Sequence, residues 1–335
     1  MQRWALAAIV VAVAACAPAP VTTAPSQLAF LGIDEFRTGF QYADTTVGGL
    51  SGISYDSERQ LYYVISDDKS EYNPARFYTM RIPLTQNRIG GAEFVGTHPL
   101  QGLSGRVDPE DIAFDSHRQQ LYWSNEGDNP WIRVAGLDGS YRGEFALPAD
   151  LHQRRNAGLE GLTVTPSGQV LWAAMEEPGS NDGAPPTVRT GALTRITKFD
   201  VATRAAVAQF AYPLDPIPAP NGDGNGLTAL AALDEDTLLT VERSHGSINV
   251  ARIYRAEVTG ADEVLGVPSL PGRRSVPMTK TLVADLTKMP DVPALDNIEG
   301  IALGPRLPDG RQSVVLVSDN NFNPRQVTQM LAFAM

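Results

Sequence analysis

The sequence predicts an all-β protein assembled from repeated sheet units, and three observations support this. Five segments share one plan, in which an acidic or hydroxyl residue enters an apolar run, a turn follows, and a second apolar run ends near a carboxylate. The 335 residues include 30 Gly and 25 Pro, a content that favours tight turns over long helices. No long stretch shows the sustained apolar period of an α-helix.

The spacing of the five segments indicates how the units are arranged. The segments cover residues 48–68, 108–128, 156–177, 225–243 and 297–321. When they are aligned, one column holds Ser51, Glu110, Glu160, Thr228 and Glu299, at intervals of 59, 50, 68 and 71 residues. Repeats of this length with two or more strands each are typical of propeller blades. We therefore predict a single β-propeller of five blades, with a sixth possible only if one long repeat is split.

The segments between the repeats supply the outer strands. We assign these to residues 76–82, 91–98, 132–137, 141–147, 193–199, 207–212, 251–258 and 281–286. Residues 28–37 and 328–335 alternate like strands at the two ends of the chain. We expect both to join the last blade, because an N-terminal strand that completes this blade closes the ring and removes open sheet edges.

The first 16 residues have the form of an export signal. A positively charged start precedes an apolar run that is too short to span a bilayer, and the run ends at Cys16. The sequence V-A-A-C resembles a bacterial lipobox, which predicts lipidation of Cys16 and a periplasmic or outer-membrane-anchored lipoprotein. The alternative is an ordinary secretory signal cleaved near Cys16. Residues 17–27 form a predicted flexible tether, and residues 28–335 form the folded domain.

Composition restricts the partners. Cys16 is the only cysteine, so the domain contains neither disulfides nor thiolate chemistry. A formal net charge of -11 argues against nucleic acid and anionic membrane surfaces, and it suits cations. We expect a small-molecule substrate, and membrane contact only through a lipid at Cys16.

A second column of carboxylates lies near the end of the second apolar run. It comprises Asp67, Glu126, Glu176, Glu242 and Asp319, which follow the first column by 16, 16, 16, 14 and 20 residues. In an antiparallel hairpin the start of one strand and the end of the next meet at the same end of the sheet, so both columns converge on one mouth. Neighbouring carboxylates repel unless a cation neutralises them. Ligands that carry only oxygen favour Ca2+ before Mg2+.

Cationic residues near the same mouth are candidates for substrate binding. They are Lys69, Arg189, Arg243 and Arg325. A guanidinium beside carboxylates is either a plain ion pair or a bidentate ligand for a phosphoryl group. Arg189 belongs to the long loop 177–191, which is alternatively only a solvated excursion. His245 follows the second column closely enough to act as a base or a phosphate contact, although a lone histidine is more often structural.

Three motifs resemble a known family. The motifs I-E-G-I-A-L (298–303), L-E-G-L-T-V (159–164) and V-L-V-S-D-N-N-F (315–322), with T-Q-M-L-A-F (328–333), look like the bacterial phytase-like family, described as having esterase-like activity of phytase. The resemblance covers about residues 45–335. The resemblance implies a β-propeller that holds calcium in an acidic channel and hydrolyses phosphate esters. The matched positions are Glu160, Glu176, Glu299, Asp319 and Asn320, whereas Ser51 and Thr228 depart from the Glu of the motif.

We therefore expect a calcium-dependent phosphoesterase, with Glu160, Glu299, Arg243 and His245 as candidate catalytic residues. A metal-activated water would be the nucleophile. Two alternatives stay open. One is a carboxylic ester or lactone hydrolase, which resembles the gluconolactonase-type propellers. The other is a binding or scaffold propeller in which calcium is structural. The sequence carries no signal for the oligomeric state.

Overall fold

Five four-stranded antiparallel sheets surround a central channel in the computed structural model. The structure describes residues 27–127, 129–218 and 222–335. The predicted export signal with Cys16, and the tether apart from Gln27, lie outside the described residues. No helix formed by the described residues is long and apolar enough to cross a membrane.

The strands follow the chain blade by blade. Before the first blade come β1 (Ala29–Arg37) and a small hairpin of β2 (Gln41–Tyr42) and β3 (Thr45–Thr46). The first blade contains β4 (Leu50–Asp56), β5 (Leu61–Ser66), β6 (Arg76–Arg81) and β7 (Glu93–Pro99). The second contains β8 (Pro109–Asp115), β9 (Gln120–Asn125), β10 (Trp131–Ala135) and β11 (Tyr141–Glu144).

The remaining three blades are built in the same way. The third contains β12 (Leu159–Val164), β13 (Val170–Met175), β14 (Ala192–Asp200) and β15 (Ala205–Leu214). The fourth contains β16 (Gly226–Ala232), β17 (Thr237–Ser244), β18 (Val250–Glu257) and β19 (Thr279–Asp285), followed by a 3-10 helix, Leu286–Lys288. The fifth contains β20 (Asn297–Arg306), β21 (Gln312–Asp319) and β22 (Val327–Ala334), completed by β1.

The first strand of each repeat is innermost, as predicted. Strands β4, β8, β12, β16 and β20 each contact the next one around the channel, and β20 contacts β4 to complete the circle. Apolar side chains fill the spaces between blades, including the fully buried Trp123 and Trp172. The prediction of a five-bladed, all-β propeller is confirmed.

The ring is closed by strands from both ends of the chain, also as predicted. Strand β1 pairs antiparallel with β22, and Phe30 lies opposite Phe333 with ring centroids 5.4 Å apart. The predicted outer strands are all present, with ends that differ by a few residues. The β2–β3 hairpin and the 3-10 helix were not predicted, because both are too short to carry a periodic pattern.

A buried arginine fixes the long loops over the third blade. Arg195 on β14 binds both carboxylate oxygens of Asp182 in the loop 177–191, at 2.5 and 2.8 Å. It also donates to Asp150 at 3.0 Å and to the carbonyl of Val267, in the insertion after β18, at 2.9 Å. A charge this deeply buried needs compensation by its neighbours. The Arg195 network therefore holds the loop 177–191 and the insertion after β18 against the blade.

We predict that Asp182→Ala lowers the free energy of unfolding by about 3–5 kcal/mol, because it leaves a buried guanidinium with one carboxylate fewer. Urea denaturation would measure the loss. The matched control is Asp309→Ala, which breaks an exposed pair with Arg311 and should stay close to wild type. Equal stability of the two variants would show that the Arg195 network does not hold the loops.

Candidate active site

A β-bulge interrupts each of the five innermost strands near its start. In every blade the pairing with the second strand skips the residue of the first column, namely Ser51, Glu110, Glu160, Thr228 and Glu299. A bulge leaves the extra residue unpaired and turns its side chain to a new direction. Here the carboxylates of different blades come close enough to repel one another, Glu110 with Glu160 and Glu160 with Glu299.

The second column lies at the same mouth, because it pairs with residues just before the bulges. The amide of Asp67 donates to the carbonyl of Gly49 at 2.7 Å, and that of Glu126 donates to the carbonyl of Asp108 at 2.9 Å. Asp319 lies opposite Asn297 in the same register. The convergence of the two columns is therefore a direct result of strand pairing.

The fourth blade breaks the pattern. By register its second-column position is Arg243, which lies opposite Gly226, and not Glu242, which the sequence alignment placed there. Because neighbours in a strand face opposite sides of the sheet, Glu242 points away from the other column residues. Its carboxylate accepts bonds from Tyr212, Asn225, Lys280 and the amide of Asp215. The structure does not bring Glu242 together with the channel carboxylates, which corrects its assignment to them.

Three buried carboxylates of the second blade form a compact cluster. Asp108, Glu110 and Glu126 each offer an oxygen, and these oxygens lie within 4.8 Å of one another. Sequence reasoning placed Glu110 and Glu126 here but missed Asp108. Asp108 lies two residues before the first column. The equivalent position holds Asn297 in the fifth blade and Gly in the other three, so the acidic residue there was the available signal.

One carboxylate oxygen of Asp108 is available to coordinate a cation. Its Oδ2 pairs with Lys69 Nζ at 2.6 Å, which places Lys69 at the channel. Its Oδ1 is buried and has no hydrogen-bond partner among the described residues. A buried oxygen acceptor without a partner is costly, and a bound cation would satisfy it. Within the described residues, this cluster is the one group of three or more ligands that could hold a metal ion.

The opposite side of the channel already contains a cation. Arg243 Nη2 lies 3.3 Å from Glu176 and 3.2 Å from Glu299. Asn297 donates its side-chain amide to Glu299 at 2.6 Å, while its own carbonyl oxygen is buried without a partner in the described chain. A Cβ at Gly226 would meet the Glu176 carboxylate at 2.4 Å, so glycine is needed beside this group. The guanidinium thus neutralises the carboxylates of blades three and five.

Burial and mutual repulsion raise the pKa values of the channel acids. Burial is the larger cause in each case. It raises the pKa of Glu126 to about 7, with repulsion from Asp108 adding to the effect. The pKa of Glu299 rises to about 8 despite the nearby Arg243, and that of Asp319 to about 6. The pKa values of Glu110 and Glu160 are also raised well above the usual range.

A cavity of about 890 Å³ opens beside the Asp108 cluster. Asp108 and Glu126 form part of its wall, together with Trp131 and Gln153. Five cationic side chains line the same space: Lys69, Arg106, Arg133, Arg154 and Arg155. Three of them are already in salt bridges, Lys69 with Asp108, Arg106 with Glu71 and Arg133 with Glu144. Arg154 and Arg155 form no salt bridge within the described residues, so their charges suit an anionic ligand next to the carboxylate cluster.

The other predicted site residues lie further out. Arg189, Arg325 and His245 are exposed at or beyond the loop ends, and the structure does not bring them into contact with the acidic cluster. The carbonyl oxygen of the Asn320 side chain accepts bonds from the amides of Gly49 and Phe322, so it holds a turn. Arg106, Arg133, Arg154 and Arg155 were missed, because they come from loops and outer strands without a repeat column.

A family model described as "Phytase-like: Esterase-like activity of phytase" matches residues 45–322, which is most of the chain. The chain belongs to the phytase-like family. The acidic columns, the bulges and the basic cavity of this phytase-like propeller all lie within the matched region. No curated protein sequence matches the chain.

Three solved structures match the chain at low sequence identity. The periplasmic gluconolactonase PpgL of Pseudomonas aeruginosa is 13% identical, with 87% of this chain and 89% of that chain covered and a TM-score of 0.40. The WD40 repeats of RRP9 are 10% identical, with 90% and 84% covered and a TM-score of 0.39. The structure of U3-55K is 10% identical, with 88% and 82% covered and a TM-score of 0.38.

We predict that the metal-free protein becomes less stable as the pH rises from about 5 to about 9. The folded-state pKa values of Glu126 and Glu299 are raised, to about 7 and about 8, above their unfolded values. Their contribution is therefore fully present below the unfolded pKa and is lost as the pH rises through the folded pKa. Thermal unfolding in EDTA would show a falling midpoint, and Glu299→Gln should flatten the slope. A midpoint that rises over this range would contradict the electrostatic description.

Proposed function

We propose that this phytase-like protein is a calcium-dependent phosphoesterase, with its metal at Asp108, Glu110 and Glu126. The observation that carries the proposal is the juxtaposition of this carboxylate cluster with a cavity lined by five cationic side chains. Of these five, Arg154 and Arg155 form no salt bridge among the described residues, so their charges are available to an anionic ester. Hydrolysis of a phosphate ester would use both the cavity and the carboxylate cluster. The cationic side chains would bind the phosphate oxygens, and a metal in the cluster would act on the phosphoryl group.

The ligand chemistry fits a hard cation. The three residues offer only carboxylate oxygens, and the partnerless Asp108 Oδ1 is available for coordination. Calcium takes six to eight oxygen ligands and accepts carboxylates readily, whereas Mg2+ tends to keep several waters. When bound, the ion would supply positive charge near the phosphoryl oxygens and lower the pKa of a coordinated water.

The residues of the chain supply orientation and proton transfer. Lys69 holds one oxygen of Asp108, which fixes the carboxylate in place. Arg154 is anchored by bonds to the carbonyls of Pro178 and Gly183, so its charge is held at the cavity wall. Burial raises the pKa of Glu160, and repulsion from its neighbours raises it further. These neighbours are Glu110, Glu126, Glu176 and Glu299. We assign Glu160 the role of proton acceptor, because it is the channel carboxylate beside the proposed ligands Glu110 and Glu126 that is not itself assigned to the metal.

Arg243 has a different role from a phosphate ligand in this proposal. Its guanidinium is shared between Glu176 and Glu299 and neutralises that side of the channel. Glu299 is correspondingly a positioning residue for Arg243. The substrate phosphate is assigned to the cavity of the second blade, on the other side of Glu160.

We predict that calcium raises the unfolding midpoint of the wild type and that Glu126→Gln removes most of this rise. A bound ligand stabilises by about 2.7 kcal/mol at a hundred times its dissociation constant, so loss of a carboxylate ligand is visible in thermal unfolding. The Gln oxygen can still accept the bond from the Gly158 amide at 2.7 Å, so the fold is retained.

The matched control is Glu242→Gln, an equally buried acid outside the channel. It should lower the midpoint but leave the rise on adding calcium intact. If Glu242→Gln abolished the calcium response and Glu126→Gln preserved it, the assignment of the metal cluster would be wrong.

The basic cavity predicts selectivity for phosphate. Arg155 is exposed at the cavity and contributes to no strand, so Arg155→Ala should leave the fold intact. We expect its kcat/KM for p-nitrophenyl phosphate to fall about tenfold, mainly through KM, because a charge-assisted contact is lost. Turnover of p-nitrophenyl acetate should be unaffected.

Steady-state kinetics with both esters, which share one chromophore, would measure this. Turnover of the acetate alone by the wild type would contradict the proposal and favour a carboxylic ester hydrolase. Binding of calcium without turnover of any ester would favour a binding propeller.

A further inference from the structure

Two aromatic rings stack at the channel mouth. Tyr72 follows the first blade's second-column residue Asp67, and Phe322 follows its equivalent in the fifth blade, Asp319. Their ring centroids are 4.2 Å apart with planes inclined by 13°. Phe322 covers one face of Tyr72, yet Tyr72 remains 57% exposed, so its other face is open to solvent.

The backbone on the Tyr72 side is held by a buried carboxylate. Asp68 accepts bonds from the amides of Glu71, Tyr72 and Asn73 at 2.8, 3.1 and 2.8 Å. Asp68 is in turn paired with the fully buried Arg76 at 2.8 Å. An exposed ring on so constrained a backbone loses little entropy when a ligand stacks on it.

The backbone on the Phe322 side is held in an unfavourable conformation. Asn321 and Phe322 have φ values of 47° and 50°, in the left-handed region that bulky residues rarely enter. The side chains of Asp319 and Asn320 accept the amides of Asn321 and Phe322 at 2.7 and 3.0 Å and so enforce the turn. Strain of this kind persists where it serves a function, and here it fixes the direction of the Phe322 ring.

The ring pair borders the acidic channel. A Cβ added at Gly49 would lie 1.9 Å from Asp67 Oδ1 and 2.9 Å from Phe322 Cε2, so the carboxylate and the ring are neighbours across this glycine. A Cβ at Gly48 would lie 2.8 Å from the Phe322 ring. Both glycines are needed for the rings to lie this close to the channel.

The loop that carries Tyr72 also connects the ring pair to the basic cavity. Lys69 on this loop reaches Asp108, and Glu71 pairs with Arg106 at the cavity wall. Tyr72 is three positions after Lys69 in the chain, so their Cα atoms are at most about 11 Å apart. One ester can therefore contact both sides of the loop.

We infer that the outer face of Tyr72, supported by Phe322, binds the aromatic ring of the alcohol that leaves from the substrate. This inference rests on the proposed phosphoesterase function. The two rings offer no cationic group to a phosphate, so the group that stacks here is the uncharged part of the ester. Aromatic rings prefer offset stacking on another flat ring, which selects an aryl over an alkyl leaving group.

The test compares kcat/KM for 2-naphthyl phosphate and glycerol 2-phosphate in three variants. Tyr72→Ala removes the exposed ring, and Phe322→Asn removes its support while Asn readily adopts the left-handed conformation. Both should lose about five- to tenfold with the naphthyl ester, through KM, and stay within about twofold with the glycerol ester. Tyr72→Phe keeps the ring and should match the wild type.

Equal losses with both substrates, or no loss with either, would overturn the inference while leaving the phosphoesterase proposal intact. If no phosphate ester is turned over, calorimetric titration with 2-naphthyl phosphonate separates the two claims. Weaker binding by Tyr72→Ala and Phe322→Asn than by Tyr72→Phe would then support the ring subsite without the activity. Equal binding by all three variants would reject the subsite.

Discussion

The burial of neighbouring carboxylates in one channel is the constraint on which the rest of this propeller depends. Three of the five bulges and four of the five hairpin ends bring acidic side chains to one mouth, where burial makes their charges expensive. The chain offsets this cost in two ways. In blades three and five the guanidinium of Arg243 supplies positive charge, and at the second blade Lys69 neutralises only part of the cluster around Asp108. The incomplete compensation at the second blade is what makes that cluster, rather than the whole ring, the proposed metal site.

This difference in charge compensation between blades places the proposed metal and phosphate sites on one side of a fivefold propeller. The basic cavity adjoins the second blade, the built-in cation lies across the channel, and Glu160 stands between them. The stacked rings of Tyr72 and Phe322 occupy another sector of the rim. A near-symmetric scaffold thus presents a metal cluster, a phosphate pocket and a ring platform at distinct positions, because each blade departs from the repeat at different residues. The proposed chemistry therefore combines carboxylates of the repeat, such as Glu110 and Glu126, with residues that depart from it, such as Asp108.

The fold was predictable because the same strand pattern repeats five times in the sequence. The five repeats, the innermost strands and the closure by β1 and β22 follow from spacing and strand alternation, and the structure confirms them. The site was only partly predictable. Glu242 was placed in the channel because an alignment cannot detect a one-residue change of register, which moves a side chain to the other face of a sheet. The four cavity arginines belong to no column, and the repeat position that Asp108 occupies holds no carboxylate in the other blades, so the folded chain was needed to show that they meet.

The central claim is that a cation binds the second-blade cluster and not the Arg243 side. The most direct measurement is a crystal structure of the protein grown with Tb3+ in place of Ca2+ and with inorganic phosphate, in which anomalous scattering locates the ion. The account predicts an ion bonded to Asp108, Glu110 and Glu126 at about 2.3–2.6 Å, with phosphate in the adjoining cavity. An ion bound between Glu176 and Glu299 with Arg243 displaced, or a channel without any ion, would contradict it.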